Sequence, residues 1–400
     1  MSQTGMSRRK FVGRALGGIG ALGILGFDGR TAGLDAGQPV TRVLGGTGIH
    51  LPVVNMGVMN ADNPALVRRA YEVGMRLFDT AANYQRGRNE EMVGSVIHEL
   101  GVRKQTIIAT KVYIPHQQRN MSPEQARDFY IKSTAESLKR LQTDYIDILY
   151  SHNVMTPEYL NNPGILEALQ QVKKEGKARF IGFSTHANMA ELIADATRTG
   201  WADVILTVFN YAMADDQQLI SSLTAASAKG IALIAMKTQC SQYWYRQELP
   251  AEKQRFYEGN ISHGAVLKWA LHHPFIACAI PGFTTFEQLE TDWAAARDLE
   301  YSAAEKQFIT DRQVKLSLAY CRQCAACLPT CPRGVNLPEL MRTHLYAAGY
   351  GNLYQVRDTY AEIPRQRSLP ACAGCERCQA RCVNGIDITG RLNELKAILA

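Results

Sequence analysis

Between residues 40 and 312, short apolar and β-branched runs alternate with stretches of helical periodicity, and this alternation restricts the fold more than any other feature. The runs fall at 53–57, 76–79, 106–111, 146–150, 178–183, 204–208, 231–235 and 276–280. Parallel strands need crossovers of a dozen or more residues, and the helical patterns between the runs supply them. Eight such units in about 270 residues match the length and period of a (β/α)8 barrel, whose functional groups gather at the C-terminal ends of the strands. A doubly wound sheet is the competing α/β arrangement, but no G-x-G-x-x-G follows the first run. Residues 41–51, with Gly45-Gly46 in the middle, read as a hairpin ahead of the first strand. With 46% hydrophobic and 20% charged residues in a chain of 400, a disordered or collagen-like chain is excluded.

Polar residues cluster at the ends of three consecutive strands. Asp79 ends the second, Tyr84 lies in the following loop, Lys111 ends the third and His152 follows the fourth. In a barrel all four face one mouth. Reducing a carbonyl needs a hydride and a proton, and a free tyrosine, titrating near about 10, releases that proton reluctantly. Taken singly, these residues read as a cap, a core ring, a solvated cation and a satisfied polar group. Taken together, Phe-Asp-Thr-Ala-Ala-Asn-Tyr at 78–84, Thr110-Lys111 and Leu-Tyr-Ser-His-Asn at 149–153 resemble the aldo-keto reductase family. The likeness covers roughly residues 40–300. It implies that Tyr84 is the general acid/base, that Lys111 lowers its pKa, that Asp79 holds Lys111, and that His152 orients the substrate oxygen.

The same resemblance implies a nicotinamide site at Ser184, Lys237, Gly282 and Gln288, for NADP(H) or NAD(H). Several family positions differ: Thr185 stands for an Asn, 204–211 holds no Gln, and Met236 stands for a stacking Tyr. Ala235-Met236-Lys237 resembles the ferredoxin-bearing branch of the family, and Ile280-Pro281-Gly282 preserves the loop that receives cofactor phosphates. Residues 283–287 (Phe-Thr-Thr-Phe-Glu) contain no cation for a 2′-phosphate.

Eight of the ten cysteines form two copies of C-x2-C-x2-C-x3-C: Cys321, Cys324, Cys327, Cys331 and Cys372, Cys375, Cys378, Cys382. Thiols this close on one loop converge on a cofactor, whereas disulfide frameworks staple distant segments, and zinc sites pair two separated C-x2-4-C units. The spacing is that of [4Fe-4S] ligation, in which the fourth cysteine of each run binds the other cluster. Two clusters are expected, with Cys331 joining the second run and Cys382 the first. Helical stretches at 337–347 and 353–362 make this region similar to an α-helical dicluster ferredoxin.

The N-terminus carries Arg8-Arg9-Lys10-Phe11 and then an apolar, glycine-rich run of about 13 residues, too short to span a bilayer. It resembles a twin-arginine signal, which implies export of a folded, cofactor-loaded protein by the twin-arginine machinery to the periplasm, with no permanent membrane span. Residues 1–39 hold five Lys and Arg against two Asp, so the rest of the chain carries about +4 of the net +7. That balance gives no case for nucleic acid.

The sequence therefore predicts a leader at 1–39, an aldo-keto reductase barrel at 40–312 and a dicluster domain at 313–400. The reading is an exported iron–sulfur oxidoreductase that interconverts a small carbonyl and an alcohol, with a redox protein as electron partner. Two alternatives stay open: an electron-transfer module with the barrel as docking platform, and an ordinary NAD(P)H reductase with structural clusters. A nicotinamide moves two electrons and a cluster one, so a coupling step is needed, and no flavin motif is present. His272-His273 reads as a helix C-terminal pair, Cys240 as a loop thiol, Cys278 as strand core, and Tyr243-Trp244-Tyr245 as a pocket wall or loop packing.

Overall fold

The computed structural model describes residues 37–239, 261–311 and 320–400; the N-terminal leader, Cys240 and the Tyr243-Trp244-Tyr245 run lie outside the described residues. β1 (Thr41–Val43) and β2 (His50–Pro52) form the expected antiparallel hairpin, with Thr41 opposite Pro52. Its turn presses on the bottom of the barrel: Gly46 N–H donates to the Gly230 carbonyl at 2.7 Å. Gly45 has φ 50°, and a Cβ there would stand 2.6 Å from the Ala232 nitrogen, so both backbone conformation and space require glycine. Leu44 and Leu51 pack with Leu77, Ile148 and Leu206 in the barrel interior.

Among the described residues, eight parallel strands follow: β3 (Met56–Gly57), β4 (Leu77–Asp79), β5 (Ile107–Val112), β6 (Ile146–Ser151), β7 (Ala178–Thr185), β8 (Val204–Val208), β9 (Ala232–Met236) and β10 (Cys278–Ala279). They pair in sequence order, and the bridges Val54↔Ala279 and Gly57↔Gly282 join first to last. This is the (β/α)8 barrel expected from the alternation. β3 is shorter than the 53–57 run because the Asn55 side chain takes over the ladder: its Oδ1 accepts the N–H groups of Arg76 and Leu77, each at 3.0 Å. Cys278 is buried in the interior, as expected of a strand-core residue.

The helices that cover the sheet start where the sequence provides caps. Ser122 with Gln125 opens Pro123–Arg140, and Thr285 with Gln288 opens Phe286–Arg297, both as reciprocal capping boxes. Their apolar faces, with Val93, Leu169, Leu192 and Trp293 among them, form a continuous shell against the strands. Each such side chain fully buried contributes about 1.5–3 kcal/mol. His272 and His273 follow the helix Ile261–Leu271 and bond the backbone carbonyls of Leu299 and Trp269, the structural role expected of them.

Residues 320–400 carry the helices Leu337–His344, Leu353–Ala361 and Ile388–Leu399, with a separate core that includes Leu340, Met341, Val356 and Leu395. The first helix runs on into a π-helical turn, Leu345–Gly349. This region and the barrel form one compact unit, 38–400. No helix among the described residues is long and apolar enough to cross a membrane.

Candidate active site

The C-terminal ends of the strands bring Asp79, Tyr84, Lys111 and His152 together, as their sequence positions require. Lys111 Nζ donates to Asp79 Oδ1 and, at 2.6 Å, to the Thr80 carbonyl. Burial pushes both members of this pair toward neutrality, and their mutual attraction opposes it. The ammonium lies 5.1 Å from the centre of the Tyr84 ring, and the His152 ring meets Tyr84 edge-on at 5.8 Å. Tyr84 opens a tight turn in which Gln85 and Arg86 take left-handed backbone (φ 50° and 58°), an arrangement that costs energy in non-glycine residues and fixes the ring.

The electrostatics depart from the expectation for Tyr84. Burial, followed by the Asp79 charge and the Tyr346 hydroxyl, raises its pKa well above the ordinary value, and the cation opposing this is Arg342. His152 is held well below its usual range, first by burial and then by Lys111 and Arg342, so its imidazole is neutral. A neutral ring keeps one donor and one acceptor for a substrate oxygen.

Asp79, Tyr84 and His152 line a cavity of about 240 Å³. Its wall includes Met236, Lys237, Gly282 and Gln288, three of them expected nicotinamide-site residues. The fourth, Ser184, is not on the wall: it is buried, and its hydroxyl accepts the Asn153 N–H at 3.0 Å, shaping the loop that follows His152. Gln288 serves its own helix, with Oε1 accepting from Thr284 N–H at 2.8 Å and from Thr285 N–H. Burial raises Asp292, on the same wall and held by Gln239 at 2.6 Å, to about 8.

The roof of the cavity comes from the cysteine-rich region. Arg342, Tyr346, Tyr350, Thr359 and Glu362 all face it, and the sequence analysis named none of them. Tyr113, after β5, donates to Glu362, His116 Nε2 lies 3.5 Å from the same carboxylate, and Arg322 reaches the Ala212 carbonyl and Asp215 after β8, each at 2.5 Å. Lys237 donates to the Tyr346 hydroxyl at 3.1 Å. A second, small crevice holds His186, Arg342 and Cys321, which places two cavity residues beside the first cysteine run.

The eight cysteines are free of disulfides. Burial pushes the Cys321 thiol up to about 12, and its thiol neighbours are Cys327 and Cys382. Cys327 in turn interacts with Cys382, Cys324 and Cys331, while Cys372 interacts with Cys331, Cys375 and Cys378. Cys382 thus stands near the first run, and Cys331 near members of both runs. Arg381 N–H, donating to Thr330 Oγ1 at 2.9 Å, ties the ends of the two runs together.

Residues 50–255 match the family model for the aldo/keto reductase family, and residues 320–387 match that of the 4Fe-4S dicluster domain. An L-galactose dehydrogenase of Arabidopsis thaliana is 29% identical over 68% of this chain and 92% of its own. The methylglyoxal reductase DkgB of Salmonella typhimurium is 31% identical over 61% of this chain and 85% of its own. The solved structure of aldo-keto reductase AKR11C1 from Bacillus halodurans shares the fold, with a TM-score of 0.56 at 21% identity, covering 70% of this chain and all of that one. A closed eight-stranded barrel with this sequence likeness, roofed by a cysteine-rich helical region, makes the chain an oxidoreductase of the aldo/keto reductase family that carries a C-terminal 4Fe-4S dicluster domain.

Proposed function

We propose that this protein interconverts a small carbonyl compound and its alcohol in the roofed cavity, with Tyr84 as general acid/base and the dicluster domain connecting the site to a one-electron redox protein. The observation that carries this reading is the single cavity shared by Tyr84, His152 and residues of the iron–sulfur domain. The Asp79–Lys111 pair sets a fixed charge behind the phenol, neutral His152 orients the substrate oxygen, and Tyr84 gives or takes the proton on that oxygen. The roof excludes water from the reacting atoms.

Cys321, Cys324, Cys327 and Cys382 would hold one [4Fe-4S] cluster, and Cys372, Cys375, Cys378 and Cys331 the other. Met236, Lys237, Gly282 and Gln288 are placed to hold a nicotinamide dinucleotide, and the absence of a cation at 283–287 favours NAD(H) over NADP(H). When bound, the nicotinamide would supply a hydride and the clusters single electrons. His186 and Arg342 line both the cavity and the crevice beside Cys321, a connection open to electrons. The named activities of the relatives, on methylglyoxal and L-galactose, point to small oxygenated aldehydes or their alcohols as substrates. Residues 1–39 direct the loaded protein to the periplasm through the twin-arginine machinery, the barrel spanning 40–312 and the dicluster domain 313–400.

The test uses anaerobically purified full-length protein, assayed for iron, sulfide and bound nucleotide, then for turnover of small aldehydes with NADH, NADPH or a reduced viologen. About eight irons per chain and a loss of 10²-fold or more in kcat for Tyr84→Phe are expected, the usual weight of a general acid/base. Full turnover by Tyr84→Phe with clusters intact overturns the reading in favour of a docking platform.

A further inference from the structure

Tyr84 is not the only phenol in the cavity, and the second has the stronger claim to a paired cation. Tyr346 sits on the π-helical turn Leu345–Gly349, is 2% exposed, and faces the same space as Tyr84 and His152. Short π-helical turns are a geometry that recurs at functional sites. The Lys237 ammonium approaches Tyr346 in two ways: it donates to the hydroxyl at 3.1 Å and lies 4.3 Å from the ring centre. Lys237 itself is held in left-handed backbone, φ 55°, with its carbonyl gripped by Asn210 Nδ2 at 3.1 Å. A non-glycine residue kept in that conformation by a buried amide is strain retained at a site.

We propose that Tyr346, with Lys237 as its counter-cation, is a second catalytic acid–base residue of the cavity, contributed by the iron–sulfur domain and exchanging a proton directly with the substrate oxygen. The inference rests on the proposed carbonyl–alcohol reading of this cavity. In the oxidation direction the Tyr346 phenolate takes the hydroxyl proton of the alcohol while Tyr84, raised by burial, stays protonated and hydrogen-bonds the same oxygen, as the hydride leaves the carbon. In reduction the phenol returns that proton to the oxygen, and the phenolate left behind is balanced by Lys237. One proton and one hydride move in either direction, the hydride to or from the nicotinamide dinucleotide of that reading.

The groups facing Tyr346 pull in both directions, and burial, the largest single influence, raises its pKa. Lys237 from the loop after β9 and Arg342 from the preceding helix favour its phenolate, while burial, Glu339 and the neighbouring ring of Tyr350 at 6.1 Å bear against or beside it; the net displacement is downward. Tyr84 is displaced upward by burial. Two of the four phenols that line the cavity among the described residues, Tyr84 and Tyr346, are thus set apart, and the one with the lower pKa is the better base near neutral pH. The barrel by itself would then hold an incomplete site, because one proton-exchanging group arrives only with the docked dicluster domain.

The experiment labels the oxidised, cluster-loaded protein with ¹³Cζ-tyrosine and follows the phenols by NMR against pH, beside the pH profile of kcat. A phenol titrating below the ordinary tyrosine value is expected to vanish in Tyr346→Phe and to move upward in Lys237→Met. Exposed Tyr354, which Arg88 also holds low, is separated from it by Tyr354→Phe. In the reduction direction the rate falls as Tyr346 ionises; that limb is expected to be absent in Tyr346→Phe, with kcat reduced 10²-fold or more and iron content unchanged. The proposal is overturned if no low-titrating phenol is lost in Tyr346→Phe, or if Tyr346→Phe keeps the wild-type limb and a kcat within threefold. Failure of the underlying reading shows separately, as a wild-type protein that turns over no carbonyl or alcohol.

Discussion

Asp79→Asn tests the charge network behind the cavity, and its size follows from burial. The side chains of Lys111 and Asp79 are 1% and 5% exposed, and the ammonium has two oxygen partners, the carboxylate and the Thr80 carbonyl. Removing one charge of a buried pair costs about 3–5 kcal/mol, because the remaining ion keeps its desolvation penalty without its partner. The asparagine oxygen still accepts a hydrogen bond, worth about 1 kcal/mol. The expected net loss is therefore roughly 2–4 kcal/mol, a shift of the folded-to-unfolded ratio by about 1.5 to 3 powers of ten. Asp79→Asn/Lys111→Met removes both charges, and replacing a buried pair by apolar groups is often close to neutral. The double variant is expected within about 1 kcal/mol of wild type, so the two substitutions couple by at least about 2 kcal/mol. Urea unfolding of the loaded protein, followed by fluorescence with Trp293 in the barrel shell as reporter, measures each corner of the cycle. A single variant within 1 kcal/mol of wild type, or a double variant as unstable as the sum of its parts, refutes the claim that the pair is desolvated and mutually dependent.

The raised carboxyl of Asp292 makes stability depend on pH. Its folded pKa of about 8 lies above the unfolded value, so its contribution is complete below the ordinary carboxylate range and is lost as pH rises through about 8. Asp292→Asn is expected to flatten the fall of melting temperature between pH 5 and 9; an equal slope in both proteins contradicts the assignment. The crossed cysteine grouping predicts that Cys331→Ser and Cys375→Ser remove the same component from the electron paramagnetic resonance spectrum of the reduced protein, while Cys324→Ser and Cys382→Ser remove the other. Loss of one component by Cys331→Ser and Cys324→Ser together would place Cys331 with its own run instead.

The barrel was legible because its signals are local. Strand runs and helical periods alternate along the chain, and Asp79, Lys111 and His152 stand at strand ends whose direction a parallel sheet makes common. The hairpin at 41–51 carried its own signal in Gly45-Gly46. The cysteine spacing declared its chemistry, since the positions of four thiols on one loop restrict what can bind them. Ser184 stands off the cavity wall, because a hydroxyl at a strand end can face the cavity or a neighbouring loop. Here it accepts the Asn153 N–H, a choice that depends on the path of a different βα loop.

The roof could not be read in the same way. Arg342, Tyr346 and Glu362 lie in helices whose sequence explains a small apolar core, and nothing local says which barrel loops they meet. A weak signal existed in the buried polar content of Leu337–His344, where Glu339, Arg342 and His344 interrupt the apolar pattern. Their meaning appears only when the helix is set over the barrel mouth. The sequence by itself determined the two architectures, the cysteine ligands and the order of the residues at the barrel mouth, because periodicity and spacing are properties of neighbours along the chain. Only the tertiary structure decided that the iron–sulfur region closes the cavity, that burial raises Tyr84 where the sequence implied a lowered pKa, and that Lys237 meets Tyr346, because burial and long-range charge depend on groups more than a hundred residues apart.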